Sequence, residues 1–209
     1  ETLGSWTLSS VTVTSNVAGV PSPIDGATTV DKMVDTAANT VHIVQEPVVT
    51  TTGVVYTYSH WIRAAGRTQV ALQVAALQGQ ALFDLSTATV VSTQAGTTAA
   101  IYAHPTLAGW YRCAITFTAI TTGGGFLDLY LASGGATSYM GDGVSGIYAI
   151  AALFEAASGV GPYLTPGTNV ASLATTAAAV AANPSYWPTF TGGFEPCTDL
   201  APGPQISVA

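Results

Sequence analysis

Gly141-Asp142-Gly143-Val144-Ser145-Gly146-Ile147-Tyr148-Ala149-Ile150-Ala151-Ala152-Leu153-Phe154-Glu155 is the stretch whose reading decides the fold class. Three glycines in its first six residues build a backbone that turns. The apolar run that follows reads as a buried strand. It stops at one acidic residue, Glu155, and at a Gly/Pro turn from Gly159 to Pro162. Such a run needs a core already built by earlier strands, so it reads as the closing strand of a β-sandwich.

Upstream, the chain supplies those strands. Trp6 to Val17 alternates through β-branched residues and reads as a strand or strand pair. Pro21 to Ala27 turns at Asp25-Gly26. Thr29 to Val34 and Thr40 to Gln45 read as short strands. The clearest strand is Val54 to Arg63, with Val55, Thr57, Ser59, Trp61 and Arg63 on one face and Tyr56, Tyr58, His60 and Ile62 on the other. Gln69 to Leu77, Ala81 to Leu85, Val90-Val91 and Thr98 to His104 follow. Trp110 to Thr118 alternates cleanly, Thr121 to Gly125 reads as a glycine hairpin loop, and Phe126 to Ala132 and Thr137 to Met140 lead into the opening stretch. About ten to twelve short strands, with no convincing helix before position 168, predict an antiparallel sandwich or barrel.

Past Gly167 the pattern changes. Val170 to Ala182 is Ala-rich and predicts a short helix capped by Asn169 and stopped at Asn183-Pro184. From Pro184 onward lie five of the eleven prolines, with Tyr186, Trp187, Phe190 and Phe194 among them. The division expected is a sandwich over 1–167 and an appended arm over 168–209. Trp187, Phe190 and Phe194 are the expected contacts of that arm with a neighbouring surface.

Composition removes several function classes. Hydrophobic residues make up 48% of the chain and charged residues 7%, against about 25% charged in ordinary soluble domains. That balance suits a subunit covered by partners better than a free monomer. The net charge is −7 and the only cations are Lys32, Arg63, Arg67 and Arg112, which argues against nucleic acid and against anionic membrane surfaces. No uninterrupted apolar run approaches the ~20 residues of a membrane helix. Cys113 and Cys197 lie 84 positions apart. They read as a buried strand thiol and an unrelated tail thiol, or as a disulfide pinning the tail.

Catalytic signatures are missing from the sequence. His42, His60 and His104 are not spaced as metal ligands and read as hydrogen-bonded strand histidines. There is no Gly-x-Ser-x-Gly elbow, and Gly123-Gly124-Gly125 lacks the Lys and helix of a phosphate loop. Asp84, Asp128, Asp142 and Glu155 are the candidates for a glycosidase carboxylate pair, but nothing in the sequence brings two of them together. The expectation is therefore not an enzyme. No cofactor is expected beyond a structural calcium, for which Asp25, Asp31, Asp142 and Glu155 offer oxygen ligands near turns. Trp61, Tyr58 and Tyr102 are the candidate platforms for stacking sugar rings.

Five segments in order carry a family resemblance. They are Asp25-Gly26 with Thr29 to Lys32, Tyr56 to Ser59 with Arg63-Ala64, and Phe83 to Leu85 with Thr87 to Val90. Gly109-Trp110-Tyr111-Arg112-Cys113 and Gly141 to Glu155 with Tyr163 to Pro166 complete the set. The chain resembles the jelly-roll domains of bacteriophage virion proteins, from tails, fibres and head decorations, which are related in fold to carbohydrate-binding modules and concanavalin-like sandwiches. The resemblance runs through nearly all of residues 6–167. It departs at Ala149 to Glu155, where the Trp and Gln of "W-G-A-Q-L-E" are replaced, and at Leu164-Thr165-Pro166, which permutes "I-P-T". The resemblance implies an antiparallel jelly-roll β-sandwich on a virion surface, assembling with other virion proteins as a homo-oligomer. The alternative it carries is a carbohydrate-binding module that attaches to surface glycan.

Overall fold

The structure is a computed structural model that describes residues 3–74 and 78–161. All of these belong to one unit, Glu1–Pro166. Its architecture is all-β and antiparallel. The described residues form two six-stranded sheets, whose strands follow in spatial order. In the first sheet the strands are β1 (Thr7–Ser9), β5 (Ile43–Thr50), β12 (Gly123–Ala132), β7 (Gln69–Val74), β8 (Gly79–Asp84) and β9 (Thr89–Thr93). In the second they are β10 (Thr97–Ala103), β11 (Trp110–Thr118), β6 (Val55–Ala65), β14 (Gly146–Glu155), β3 (Asp31–Asp35) and β2 (Val11–Thr14). A small ribbon pairs β4 (Asn39–Val41) with β13 (Ser138–Met140).

One core joins the two sheets. Val44, Leu72, Phe83 and Leu129 from the first meet Tyr58, Ile62, Ile115 and Ile147 from the second. Each is fully buried, and burying a large apolar side chain stabilises by about 1.5–3 kcal/mol. Strand alternation does this sorting: Leu127, Leu129 and Leu131 point inward, so Asp128 and Tyr130 point out. A second cluster covers the outer face of the second sheet. There Trp61, Trp110 and Ala151 pack under Val20 and Val30, with Val17, Ile24 and Leu107 beside them. The chain between β2 and β3 thus lies across the sheet.

The opening stretch runs through the middle of the second sheet. β14 sits between β6 and β3, with Gly146 to Ala149 paired to β3 and Ile147 to Ile150 paired to β6. It bulges after Ile150, where one extra residue faces His60 and Ala151 takes a φ of 59°. Two glycines are dictated by space. A Cβ on Gly141 would lie 2.0 Å from the Thr36 carbonyl oxygen, and one on Gly146 would lie 1.9 Å from that of Met33.

One local reading resolves to its second alternative, a strand pair, and two change. Trp6 to Val17 divides into β1 and β2 at Ser10, which takes a φ of 53° and sends the chain from one sheet to the other. Thr40 to Gln45 is two strands broken at His42. That side chain turns inward, with Nδ1 2.7 Å from the Ser10 carbonyl and Nε2 3.3 Å from the Tyr139 carbonyl. Gly123 to Gly125 is the start of β12, paired with Thr50 to Val48, and not a hairpin loop. A distant strand supplies the ladder there, so backbone pairing overrides the glycines' preference for a turn. The helix over 170–182 and the arm over 168–209 lie outside the described residues.

Candidate functional site

The loop leading into β14 is fastened by one carboxylate. Asp35, at the end of β3, is buried. Its Oδ1 accepts the N–H groups of Asp142 and Gly143 at 3.1 and 3.2 Å. Its Oδ2 accepts the Tyr139 hydroxyl at 2.9 Å and Arg67 Nε at 2.6 Å. Arg67 Nη2 then reaches Asp142 Oδ2 at 3.0 Å, and the guanidinium lies 4.8 Å from the centre of the Tyr139 ring. Asp142 Oδ1 accepts the N–H groups of Val144 and Ser145. The Ser145 bonds chiefly, with Val144 and the Arg67 charge, hold the Asp142 carboxyl well below the usual range. Burial first, then the bond to Asp35, pushes the Tyr139 hydroxyl up, so it remains a neutral donor. These carboxylates are occupied by internal donors. The cluster is a clasp for the Gly-Asp-Gly loop, and it suits anchorage rather than acid–base chemistry.

A different constellation lies on the outer face of the first sheet, with Asp128 and Gln73 themselves buried in it. The antiparallel register sets Asp128 directly opposite Gln45 on one side and Gln73 on the other, and Gln73 opposite Gln80. Four adjacent strands therefore carry one transverse polar row. Gln45 Nε2 donates to Asp128 Oδ1 at 2.9 Å and Gln73 Nε2 to Oδ2 at 3.1 Å. Burial raises the Asp128 pKa, opposed by the bonds from Gln45 and Tyr130. Burial and the neighbouring Asp128 push the Tyr130 hydroxyl up to about 12. Phe126 flanks the row on one side, 43% exposed, and Tyr130 flanks it on the other. Beyond Tyr130 a shallow cleft of about 610 Å³ opens between Gln80, Leu82 and Ser92 and the turn at Gly135–Ser138.

The sugar-stacking candidates are placed differently from the sequence reading. Tyr58 is fully buried in the main core and Trp61 is 4% exposed beneath the second cluster, so neither forms an open platform. The reason is that both faces of β6 are covered, one by the opposite sheet and one by the chain before β3. Tyr102, on β10, is 52% exposed.

The four calcium candidates are not brought together. Asp25 accepts the Ala27 N–H at 3.0 Å, and Asp31, buried, accepts the N–H groups of Leu3 and Asn16. Asp142 belongs to the clasp, and Glu155 accepts the Gly161 N–H at 2.7 Å. Among the described residues no group of three or more His, Cys, Asp or Glu side chains is placed to hold a metal ion. Asp84 accepts from Ser86 and Gln69, and the Ser86 bonds lead in lowering its pKa. Trp187, Phe190 and Phe194 lie outside the described residues.

Other assignments divide. His42 and His104 are hydrogen-bonded as read: His104 Nε2 donates to the Pro23 carbonyl at 3.1 Å, and Nδ1 accepts from Leu107 at 3.0 Å. His60 departs from the reading, because neither ring nitrogen has a hydrogen bond of normal geometry. Cys113 is a free thiol in the core, and burial pushes its pKa up. Arg112 donates to Ser59 and to the Gly161 carbonyl.

The sequence reading missed the Asp35–Arg67 pair and the Gln45–Asp128–Gln73 row. Alternation on β7 and β12 marks Gln73 and Asp128 as outward, but only the register places them side by side. No protein-family model matches the chain, and no curated protein matches it significantly.

Proposed function

We infer that the chain is a structural subunit of a bacteriophage virion: a jelly-roll β-sandwich that works by non-covalent assembly on a capsid, fibre or tail surface. One observation carries this reading. The residues of the Gly141 to Gly146 motif build the fold, since Gly141 and Gly146 admit no side chain and Asp142 closes the clasp with Arg67. Trp110 and Cys113 of the second motif are buried likewise. A resemblance concentrated in fold-building residues supports a scaffold. The low content of charge supports a surface that meets other subunits. Removing residues 168–209 is expected to turn the oligomer into single chains by light scattering; an unchanged number of chains per particle would sink the role of Trp187, Phe190 and Phe194.

A second reading, attachment to surface glycan, is favoured by the outward row on the first sheet. Exposed Phe126 and half-buried Tyr130 match the C–H faces of a sugar, and the half-buried Gln45 amide, held by Asp128, matches its hydroxyls. The site is then Gln45, Gln73 and Asp128 with Phe126 and Tyr130, in place of Tyr58 and Trp61. A glycan array decides it: binding lost in Phe126→Ala and Gln73→Ala supports attachment, and silence from the intact chain removes it.

A further inference from the structure

A sheet edge shows unpaired N–H and C=O groups to any strand that reaches it, and proteins blunt such edges. Here the sheets end at β1 and β9, and at β10 and β2. β1 is three residues long and β2 four. β9 carries a bulge at Val91, since Ser92 faces Leu82 while Val90 faces Phe83. β5 runs past β1 and places Pro47 on its free side. β10 has none of these devices. It runs seven residues in unbroken register with β11, and its sequence Thr-Thr-Ala-Ala-Ile-Tyr-Ala holds no charge and no proline.

The direction of its backbone follows from one bond. His104 N–H donates to the Trp110 carbonyl at 2.8 Å, so even-numbered residues of β10 face β11. Ala99, Ile101 and Ala103 then turn their N–H and C=O groups to the open side. No other described strand pairs there. Ala99 and Ile101 rest their side chains on the rim of the main core, while Tyr102 stands exposed on the other face.

We propose that β10 docks a second copy of this chain, paired antiparallel about a twofold axis at Ile101. This rests on the assembly reading and gives it a surface. In that register Ile101 meets the partner's Ile101 and Ala99 meets the partner's Ala103. Every outward group finds a backbone partner. Tyr102 falls opposite the partner's Ala100, so a large exposed ring lies on a small residue. Ile101, half-buried at the core rim, is covered by its own mate. The strand is neutral, so two copies meet without the like-charge repulsion that edge lysines impose. A second copy fits this edge because the register is self-complementary; a charged partner would find no charge to read. Strand addition alone buries less than a standard interface, so this contact is weak and depends on concentration.

The test is sedimentation velocity of the full chain over about a hundredfold range of concentration, with amide hydrogen exchange. Association should slow exchange at Ala99, Ile101 and Ala103. Ala103→Pro removes an outward donor, as Pro47 does on β5, and should weaken association about tenfold or more. Tyr102→Lys should weaken it as well, by charge and without touching the backbone. The thermal midpoint of each variant reports that the fold is kept. Association unchanged in both variants overturns the edge proposal and leaves assembly standing. A single-chain mass at every concentration overturns both. Protection of these three amides in the dilute single chain shows the edge filled from within, and overturns the proposal.

Discussion

Between pH 7 and pH 4 acid should destabilise this protein through His60, and replacing that side chain should remove its share of the sensitivity. His60 is fully buried, edge-on to Trp6 at 5.5 Å and to Tyr58 at 5.3 Å. Burial lowers its pKa from 6.5 to about 3, weakly opposed by the Ile150 backbone. Below pH 6.5 the unfolded chain binds a proton at this ring, and the folded chain does so only near pH 3. The unfolded state therefore holds more protons in that window, and stability falls as pH falls. At pH 7 the cost is small. At pH 4 it is about 3 kcal/mol, from 1.36 kcal/mol for each unit below 6.5. His60→Phe keeps an aromatic ring among aromatic neighbours and removes the titration. The larger ring adds a packing cost of about 1–3 kcal/mol, but that cost is the same at both pH values. Shared carboxylates titrate alike in both proteins and cancel. The assay is urea unfolding at pH 7 and pH 4, followed by tryptophan fluorescence. Moving from pH 7 to pH 4 should shift the stability difference by about 3 kcal/mol in favour of His60→Phe. A shift below about 1 kcal/mol would refute a histidine held neutral by burial.

Substitutions at two further positions test the clasp and the strand it feeds. Gly146→Ala places a methyl group 1.9 Å from the Met33 carbonyl oxygen, which β3 and β14 cannot both accommodate. The expected loss is about 3 kcal/mol or more, read by thermal unfolding; a variant as stable as the parent would show the two strands further apart. Arg67→Ala leaves buried Asp35 without its cation and should cost about 3 kcal/mol. Arg67→Lys should recover part of that loss, since a lysine keeps the charge and loses the fork that spans Asp35 and Asp142. Full recovery with Lys would show that charge alone, without the two-carboxylate geometry, holds the loop.

Strand positions were legible where alternation is local. Trp110 to Thr118 reads as a strand and is β11 with those bounds. The apolar run after Gly146 reads as a buried strand and lies at the centre of a sheet. Long-range pairing was not legible. Gly123 to Gly125 looks like a turn because the partner that straightens it, Val48 to Thr50, is more than 70 residues away. The break at His42 depends on carbonyls of Ser10 and Tyr139. Candidate site residues suffered the same way. Alternation told that Tyr58 and Trp61 lie on opposite faces of β6, but not that both faces are covered. The row Gln45–Asp128–Gln73 joins three strands that are not neighbours in sequence, and it exists only once the register is known.

Self-assembly of this sandwich is the proposal on which the virion role rests. The most direct measurement is the mass of the full chain in solution by light scattering. The expected result is a whole-number multiple of the single-chain mass. A single-chain mass that persists at the highest concentrations reached would contradict the account.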